Sequence, residues 1–147
     1  MPSDTLLKAM NSVHRTVLRL TGGRVGGRLA QMPVLELTTV GRRSGRARTV
    51  ILTSPLQLDD AYVVVASRGG DNRHPAWYLN LVEQPDVEVV LPGGRPTPMR
   101  ARVSVPPERN ELWARIIAEH RNYAEYQSRT ARPIPVVVLE PMPTHGD

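Results

Sequence analysis

The chain has 147 residues, no cysteine and a net charge of +5 at pH 7 that comes almost entirely from arginine. The lack of cysteine excludes disulfides, thiolate nucleophiles and thiolate metal sites. The length suits one globular domain, and the excess of positive charge indicates an anionic partner such as nucleic acid, acidic lipid or a polyanionic small molecule.

The first thirty residues differ in pattern from the rest. Apolar residues recur at helical spacing over Asp4–Leu20, while the basic residues lie mostly off that stripe. We therefore expect an amphipathic helix and a glycine-rich linker over 1–30, followed by one barrel domain over 31–147. The helix either packs on its own domain or lies on an anionic membrane surface. Since no secretory leader or membrane-spanning run is present, we expect a cytoplasmic protein.

Six segments rich in Val, Ile, Leu and Thr predict β-strands. They are Val34–Val40, Arg48–Leu58, Tyr62–Ser67, Val87–Leu91, Met99–Val105 and Ile134–Glu140. Asp59-Asp60 predicts a turn between the second and third segments, which makes them an antiparallel hairpin. Helices are predicted over 74–84 and 107–120, with a short polar helix or loop continuing to residue 129. The pattern indicates an α+β domain whose sheet curls into a small barrel.

The turn between the first two strands is the most strongly charged part of the chain. It reads Gly41-Arg42-Arg43-Ser44-Gly45-Arg46-Ala47-Arg48, and we call it the arginine turn. Glycine lets the backbone turn sharply, and arginine binds phosphate and carboxylate oxygens in pairs at any working pH. It is either a solvated charged turn or a binding site for a ligand with several anionic groups.

Two further segments lie around the predicted helix that follows the third strand. Ser67-Arg68-Gly69-Gly70, which we call the amide loop, allows a ligand to approach the main chain, although ordinary turn chemistry explains such a segment equally well. Adjacent Trp77 and Tyr78 cannot share one helix face. Trp77 is therefore either a core residue or the wall of a site for a planar ligand.

His120, Tyr123 and Tyr126 are spaced three apart, so on a helix they lie along one side. They form either a polar, proton-donating wall or a set of amphipathic side chains at the rim of the core. The four histidines lack metal-ligand spacing, and no phosphate-binding P-loop or Rossmann glycine motif is present. We expect no metal site, and an enzyme of this kind would take its chemistry from an organic cofactor.

In this order the segments resemble the actinobacterial deazaflavin-dependent nitroreductase and quinone reductase family, whose members use coenzyme F420. The resemblance rests on segments 37–48, 65–70, 74–81, 123–127 and 132–138. It implies a split β-barrel of the flavin-reductase type, with about six antiparallel strands and flanking helices.

The resemblance also implies roles for individual residues. Those that would bind the cofactor are Arg42, Arg43, Ser44, Gly45, Arg48, Ile51, Ser67, Arg68, Gly69, Gly70 and Trp77. Those that would line the acceptor pocket as catalytic candidates are Ser67, His120, Tyr123 and Tyr126. Thr53 and His120 stand where some members of the family have tyrosine.

The implied activity is transfer of a hydride from reduced F420 to a quinone, a nitro compound or a similar electron-poor acceptor. The alternative is a carrier that binds F420, FMN or haem without that activity. A nucleic-acid-binding barrel is disfavoured, because the aromatic residues concentrate in and just after helical segments rather than on an exposed sheet face. The amphipathic start of the chain fits peripheral contact with the inner face of the plasma membrane.

Overall fold

The computed structural model describes residues 28–29 and 32–142. The predicted helix over Asp4–Leu20 and the predicted domain boundary lie outside these residues. The described strands are β1 (Arg28–Leu29), β2 (Met32–Val40), β3 (Ala47–Thr53), β4 (Leu56–Leu58), β5 (Ala61–Val65), β6 (Asp86–Val90), β7 (Thr97–Val103) and β8 (Val136–Pro141). The described helices are α1 (Ala76–Glu83), α2 (Glu108–Glu119) and α3 (Asn122–Ser128).

All the described strands belong to one antiparallel sheet. Its order is β1-β2-β6-β7-β8-β5-β4, and β3 pairs with β2 alone. The β2–β3 hairpin runs in register from the Val34–Thr53 pair to the Val40–Ala47 pair, so the arginine turn joins its two strands. Among the described residues no ladder joins β3 to β4, and the sheet is therefore not closed.

The second predicted strand, Arg48–Leu58, is two strands in the structure. It breaks at Ser54-Pro55, because proline has no N–H to donate to a ladder. The fully buried Ser54 hydroxyl instead lies 2.9 Å from the carbonyl oxygen of Leu56 and 2.7 Å from that of Val63. The predicted hairpin across Asp59-Asp60 is confirmed, and it joins β4 to β5.

Each helix predicted within the described residues is present. Pro75 and Pro107 immediately precede α1 and α2, where a missing N–H costs little. The segment predicted as a polar helix or loop forms α3. None of the helices in the described residues is both long and apolar enough to cross a bilayer.

Two apolar clusters lie on opposite faces of β5 and β8, because side chains alternate along a strand. On one face Val63, Val65 and Val136 pack with α2 and α3. On the other, Val64 and Val137 pack with residues of α1, β2, β6 and β7. Both strands are buried on two sides, which explains their unbroken runs of valine.

Candidate functional site

Two neighbouring cavities lie beside β3 and the start of α1. The larger has a volume of about 830 Å³ and reaches from β3 to the amide loop and α3. The smaller, of about 330 Å³, lies between the arginine turn and α1. Val50, Ala76 and Trp77 line both cavities. An elongated ligand can therefore extend from one cavity into the other past the indole of Trp77.

The arginine turn is closed by its own backbone. The N–H of Gly41 donates to the carbonyl oxygen of Arg46 at 2.7 Å, and the N–H of Gly45 donates to that of Gly41 at 2.8 Å. Gly45 has φ +72°, a conformation that favours glycine. At Gly41 a Cβ atom would come within 2.8 Å of the Ser44 hydroxyl oxygen. The two glycines thus hold a compact turn from which charged side chains project.

The buried Asn80 fixes this turn to α1. Its side-chain oxygen accepts hydrogen bonds from the backbone N–H of Arg42 at 3.2 Å and from the Arg42 guanidinium at 3.0 Å. Its amide nitrogen donates to the Thr39 hydroxyl at 3.1 Å. Sequence reasoning did not select Asn80 as a site residue. Its only signal is an asparagine within an otherwise apolar stretch of a short helix.

Arg43 and Arg48 are exposed at the smaller cavity, and neither forms an ion pair with a described residue. Their guanidinium groups are therefore available to an anionic ligand, in contrast with Arg42, which Asn80 partly occupies. Guanidinium groups bind phosphate and carboxylate groups best.

The amide loop turns sharply at the larger cavity. Arg68, Gly69 and Gly70 all have positive φ, of +47°, +64° and +86°. For Arg68 this conformation costs about 1–2 kcal/mol. Ser67 precedes them in the right-handed region, and its hydroxyl makes no hydrogen bond to the turn that follows. The N–H groups of Gly70 and Asp71 donate within the turn, to the carbonyl oxygens of Ser67 and Arg68. A succession of right- and left-handed residues can turn the remaining N–H groups to one side, where such groups bind an anion or a carbonyl oxygen.

Gly70 accounts for how closely this loop approaches α3. A Cβ atom there would lie 2.6 Å from the carbonyl oxygen of Tyr126 and 2.9 Å from Cβ of Arg129. The Arg129 guanidinium also donates to the Gly69 carbonyl oxygen at 3.3 Å and lies 5.6 Å from the centre of the Tyr126 ring. The loop is therefore packed directly against α3, whose Tyr123 and Tyr126 we call the tyrosine wall.

Tyr123 and Tyr126 line the larger cavity from α3, with ring centres 5.9 Å apart and nearly perpendicular planes. Tyr123 is 6% exposed, packs in the core, and lies with its hydroxyl 3.7 Å from the sulfur of Met32. Burial raises the pKa of the Tyr123 phenol above its usual value, so it is protonated at neutral pH. The two interpretations of this residue, core packing and cavity wall, therefore both apply.

His120 is placed differently. It follows the last residue of α2, and its ring centre lies 6.4 Å from that of Tyr123 with the two planes nearly perpendicular. It is not among the described residues that line either cavity. Its catalytic role stays a prediction.

The structure brings most of the other predicted residues together. Arg42, Arg43, Ser44 and Arg48 line the smaller cavity, and Ile51, Ser67, Arg68, Gly69, Tyr123 and Tyr126 line the larger one. Trp77 lines both, while Gly45 and Gly70 shape the two loops. This combination of guanidinium groups, backbone amides and an apolar slot suits a planar ring joined to an anionic tail.

Comparisons with known proteins agree with this chemistry. The family model described as F420H(2)-dependent quinone reductase matches residues 10–141. An F420H(2)-dependent quinone reductase of Mycobacterium tuberculosis (strain ATCC 25618 / H37Rv) is 43% identical over 131 residues, which are 86% of this chain and 87% of that protein. A solved F420-H2 dependent reductase superposes with a TM-score of 0.65 at 38% identity, covering 74% of this chain and 94% of the other.

A more distant structure shares the fold alone. The haem protein HutZ from Vibrio cholerae superposes with a TM-score of 0.53 at 17% identity, over 76% of this chain and 82% of its own. The predicted α+β fold of the split-barrel type is confirmed by these structural matches, with a sheet that does not close.

Proposed function

This chain belongs to the F420H(2)-dependent quinone reductase family, and from that premise we propose that it oxidises reduced coenzyme F420 and reduces a quinone at the two adjacent cavities. The family matches confirm the predicted cofactor and the predicted enzyme class. They do not favour the alternative of a carrier without reductase activity. The observation that carries the proposed site is the arginine turn and the tyrosine wall lying on either side of Trp77.

The arginine turn would hold the anionic part of the cofactor. F420 joins a deazaflavin ring to a phosphate and a glutamyl tail. Arg43 and Arg48 line the smaller cavity and form no ion pair with a described residue, and hydrogen bonds to charged groups contribute roughly 1.5–3 kcal/mol each. Asn80 keeps the turn against α1, so these groups need little reordering when the ligand binds.

The larger cavity would hold the ring. Trp77 and Ile51 supply apolar walls for a planar group, and the N–H groups of the amide loop suit the polar edge of a deazaflavin. The hydroxyl of Ser67, at the cavity wall, is a further donor.

When bound, reduced F420 supplies a hydride, which a quinone takes up together with a proton to become a quinol. The protein's contribution is to hold the two reactants in contact and to exclude water, for which Val34, Leu52 and Val65 provide an apolar lining. The protonated phenol of Tyr123 would donate a hydrogen bond to the quinone oxygen as that oxygen gains charge. Tyr126 lines the same cavity and would orient the acceptor.

Binding measurements with two ligands test this assignment. In the double variant Arg43→Ala/Arg48→Ala, we expect the dissociation constant for F420 to rise by about 10- to 100-fold, because two charge-assisted contacts are lost. The affinity for the deazaflavin chromophore without phosphate and tail should stay the same. Fluorescence titration measures both.

A matched control removes the same charge elsewhere. Arg95 and Arg115 are exposed and line neither cavity, so Arg95→Ala/Arg115→Ala should bind F420 like the wild type. An unchanged dissociation constant in the first variant, or an equal loss in the control, would count against the proposed tail site.

We also propose that residues 1–30 place the enzyme against an anionic membrane, since the sequence there predicts a basic amphipathic helix. The full chain should sediment with vesicles that contain phosphatidylglycerol and not with phosphatidylcholine vesicles. Deletion of residues 1–27 should abolish sedimentation and spare F420 binding. Equal sedimentation of the full chain and of the chain lacking residues 1–27 would contradict this proposal.

Nitro compounds remain proposed acceptors. The tyrosine wall can donate hydrogen bonds to nitro oxygens as it would to quinone oxygens. Oxidation of reduced F420 by a nitroaromatic compound, followed beside a soluble quinone, measures whether both are used.

A further inference from the structure

Arg132 lies between α3 and β8, and its guanidinium binds the backbone on both sides of the amide loop. Nε donates to the carbonyl oxygen of Asp71 at 2.8 Å. One terminal nitrogen donates to the carbonyl oxygen of Ala66 at 3.2 Å, and the other donates to that of Ser67 at 2.9 Å. One side chain thus joins the residues that enter and leave the loop.

We propose that Arg132 is a positioning residue that holds the amide loop in the conformation required to bind the deazaflavin ring. This inference rests on the proposed function. Arg132 itself is not among the described residues that line either cavity, so it would act through the loop and not by touching the ligand.

The direction of the peptide groups supports this role. In a trans peptide the carbonyl oxygen and the next N–H point in opposite directions. Because the carbonyl oxygens of Ala66 and Ser67 face Arg132, the N–H groups of Ser67 and Arg68 point away from it. Ser67 and Arg68 line the larger cavity, which supports an orientation of these N–H groups toward the side where a ligand would bind.

The loop closes on itself through two backbone hydrogen bonds, Gly70 to Ser67 at 2.9 Å and Asp71 to Arg68 at 3.1 Å, and side chains from outside the loop add to these. Arg68 has φ +47°, and the two glycines that follow can adopt many other conformations. A strained conformation persists only when its surroundings determine it. Arg132 supplies three backbone contacts, and Arg129 adds one at Gly69. We infer that without Arg132 the amides would be presented to the ring for only part of the time.

His74 also forms a hydrogen bond with the Arg132 guanidinium. Its Nδ1 lies 3.2 Å from the guanidinium, and its ring centre lies 4.7 Å from that of Tyr78. Burial, together with the charge of Arg132, lowers the pKa of His74, so at neutral pH its ring is neutral and accepts this hydrogen bond.

The variant Arg132→Lys tests the proposal, because it keeps the charge and loses the planar fork. We expect the affinity for the tailless deazaflavin chromophore and for complete F420 to fall by the same factor, about tenfold. This differs from the Arg43→Ala/Arg48→Ala variant, in which only F420 binding weakens. In the unliganded protein, hydrogen exchange at the amides of Gly70 and Asp71, which donate to the carbonyl oxygens of Ser67 and Arg68, should become faster.

Arg109→Lys is the matched control, since Arg109 also donates to a backbone carbonyl oxygen, that of Ile134 at 2.7 Å, and lines neither cavity. If it matches Arg132→Lys in both ligand affinities, Arg132 has only a general structural role. If Arg132→Lys does not fold, Arg132→Gln is measured in the same way. Wild-type affinity for the chromophore in either folded variant overturns the inference, whereas failure of the wild type to bind F420 overturns the proposed function instead.

Discussion

Tyr123 shows how one side chain can belong to both the core and the cavity. Its ring packs with residues of α2, β5 and β8, while its hydroxyl lies in a part of the core close to the cavity, near the sulfur of Met32. A thioether is a weak hydrogen-bond acceptor. The hydroxyl also has a side-chain hydrogen bond with Thr53 of β3, so in donating to a quinone oxygen it would exchange or share that partner.

Tyr123→Phe should separate these two contributions. The ring is retained, so we expect a change below about 1 kcal/mol in the free energy of unfolding and an unchanged affinity for F420. Oxidation of reduced F420 by a soluble quinone should slow by roughly 10- to 100-fold, because a donor to the charged oxygen is lost. Single-turnover stopped-flow measures this, with Tyr62→Phe as the control. A wild-type rate would remove Tyr123 from the proposed mechanism.

His74 gives a pH dependence with a definite sign. Its pKa in the folded protein lies below the ordinary value of 6.5, owing first to burial and then to the charge of Arg132. The other titratable groups that act on the Arg132 guanidinium are Asp71, Arg68 and Tyr78. Below about pH 6.5 the unfolded chain therefore binds more protons, and stability falls as the pH falls until it passes the folded pKa.

His74→Asn keeps an acceptor and removes this titration. Between about pH 7.5 and about pH 5 the wild type should lose stability relative to the variant, measured by urea unfolding. Carboxylates titrate in both proteins, so their effect cancels in the difference. Parallel stability curves would show that His74 does not carry the dependence.

At the scale of elements, the buried amide of Asn80 adds a polar link between the β2–β3 hairpin and α1 to their apolar packing. Asn80 connects Thr39 on β2 to Arg42 in the arginine turn. Buried side-chain contacts of this kind fix one arrangement of two elements, and their loss leaves unpaired polar groups.

Asn80→Ala should lower the free energy of unfolding by about 1–3 kcal/mol. It should also raise the dissociation constant for F420 severalfold while sparing the tailless chromophore, because the arginine turn loses its attachment to α1. Asn110→Ala, on the exposed side of α2, should change neither quantity. Loss of stability with an unchanged F420 affinity would mean that the turn keeps its shape without Asn80.

The elements were largely predictable from local sequence, whereas the contacts between them were not. Valine runs and the prolines before α1 and α2 are local signals, and within the described residues they predicted the helices and most of the strands. The break at Ser54-Pro55 was missed because the apolar pattern continues across it. Asn80 and Arg132 act on residues far away in the chain, such as Thr39 and Ala66, and periodicity contains no information about such partners.

At the scale of the whole molecule, the net charge of +5 and the exposed arginines favour an anionic cofactor over a neutral one. Exposed charges are screened by salt. Raising NaCl from about 0.05 M to about 0.5 M should weaken F420 binding about tenfold or more and leave chromophore binding nearly unchanged. Equal salt dependence for both ligands would place the tail away from the arginine turn.

The unpaired edge between β3 and β4 has a consequence for the choice of acceptor. Residues 50–53 of β3 line the larger cavity and are tied to the sheet on the β2 side alone. Within the described part of the chain, moving this wall outward therefore disturbs no ladder other than its own with β2. We expect bulky and slender oxidants to be accommodated by the same enzyme, with the tricyclic donor held at a fixed depth.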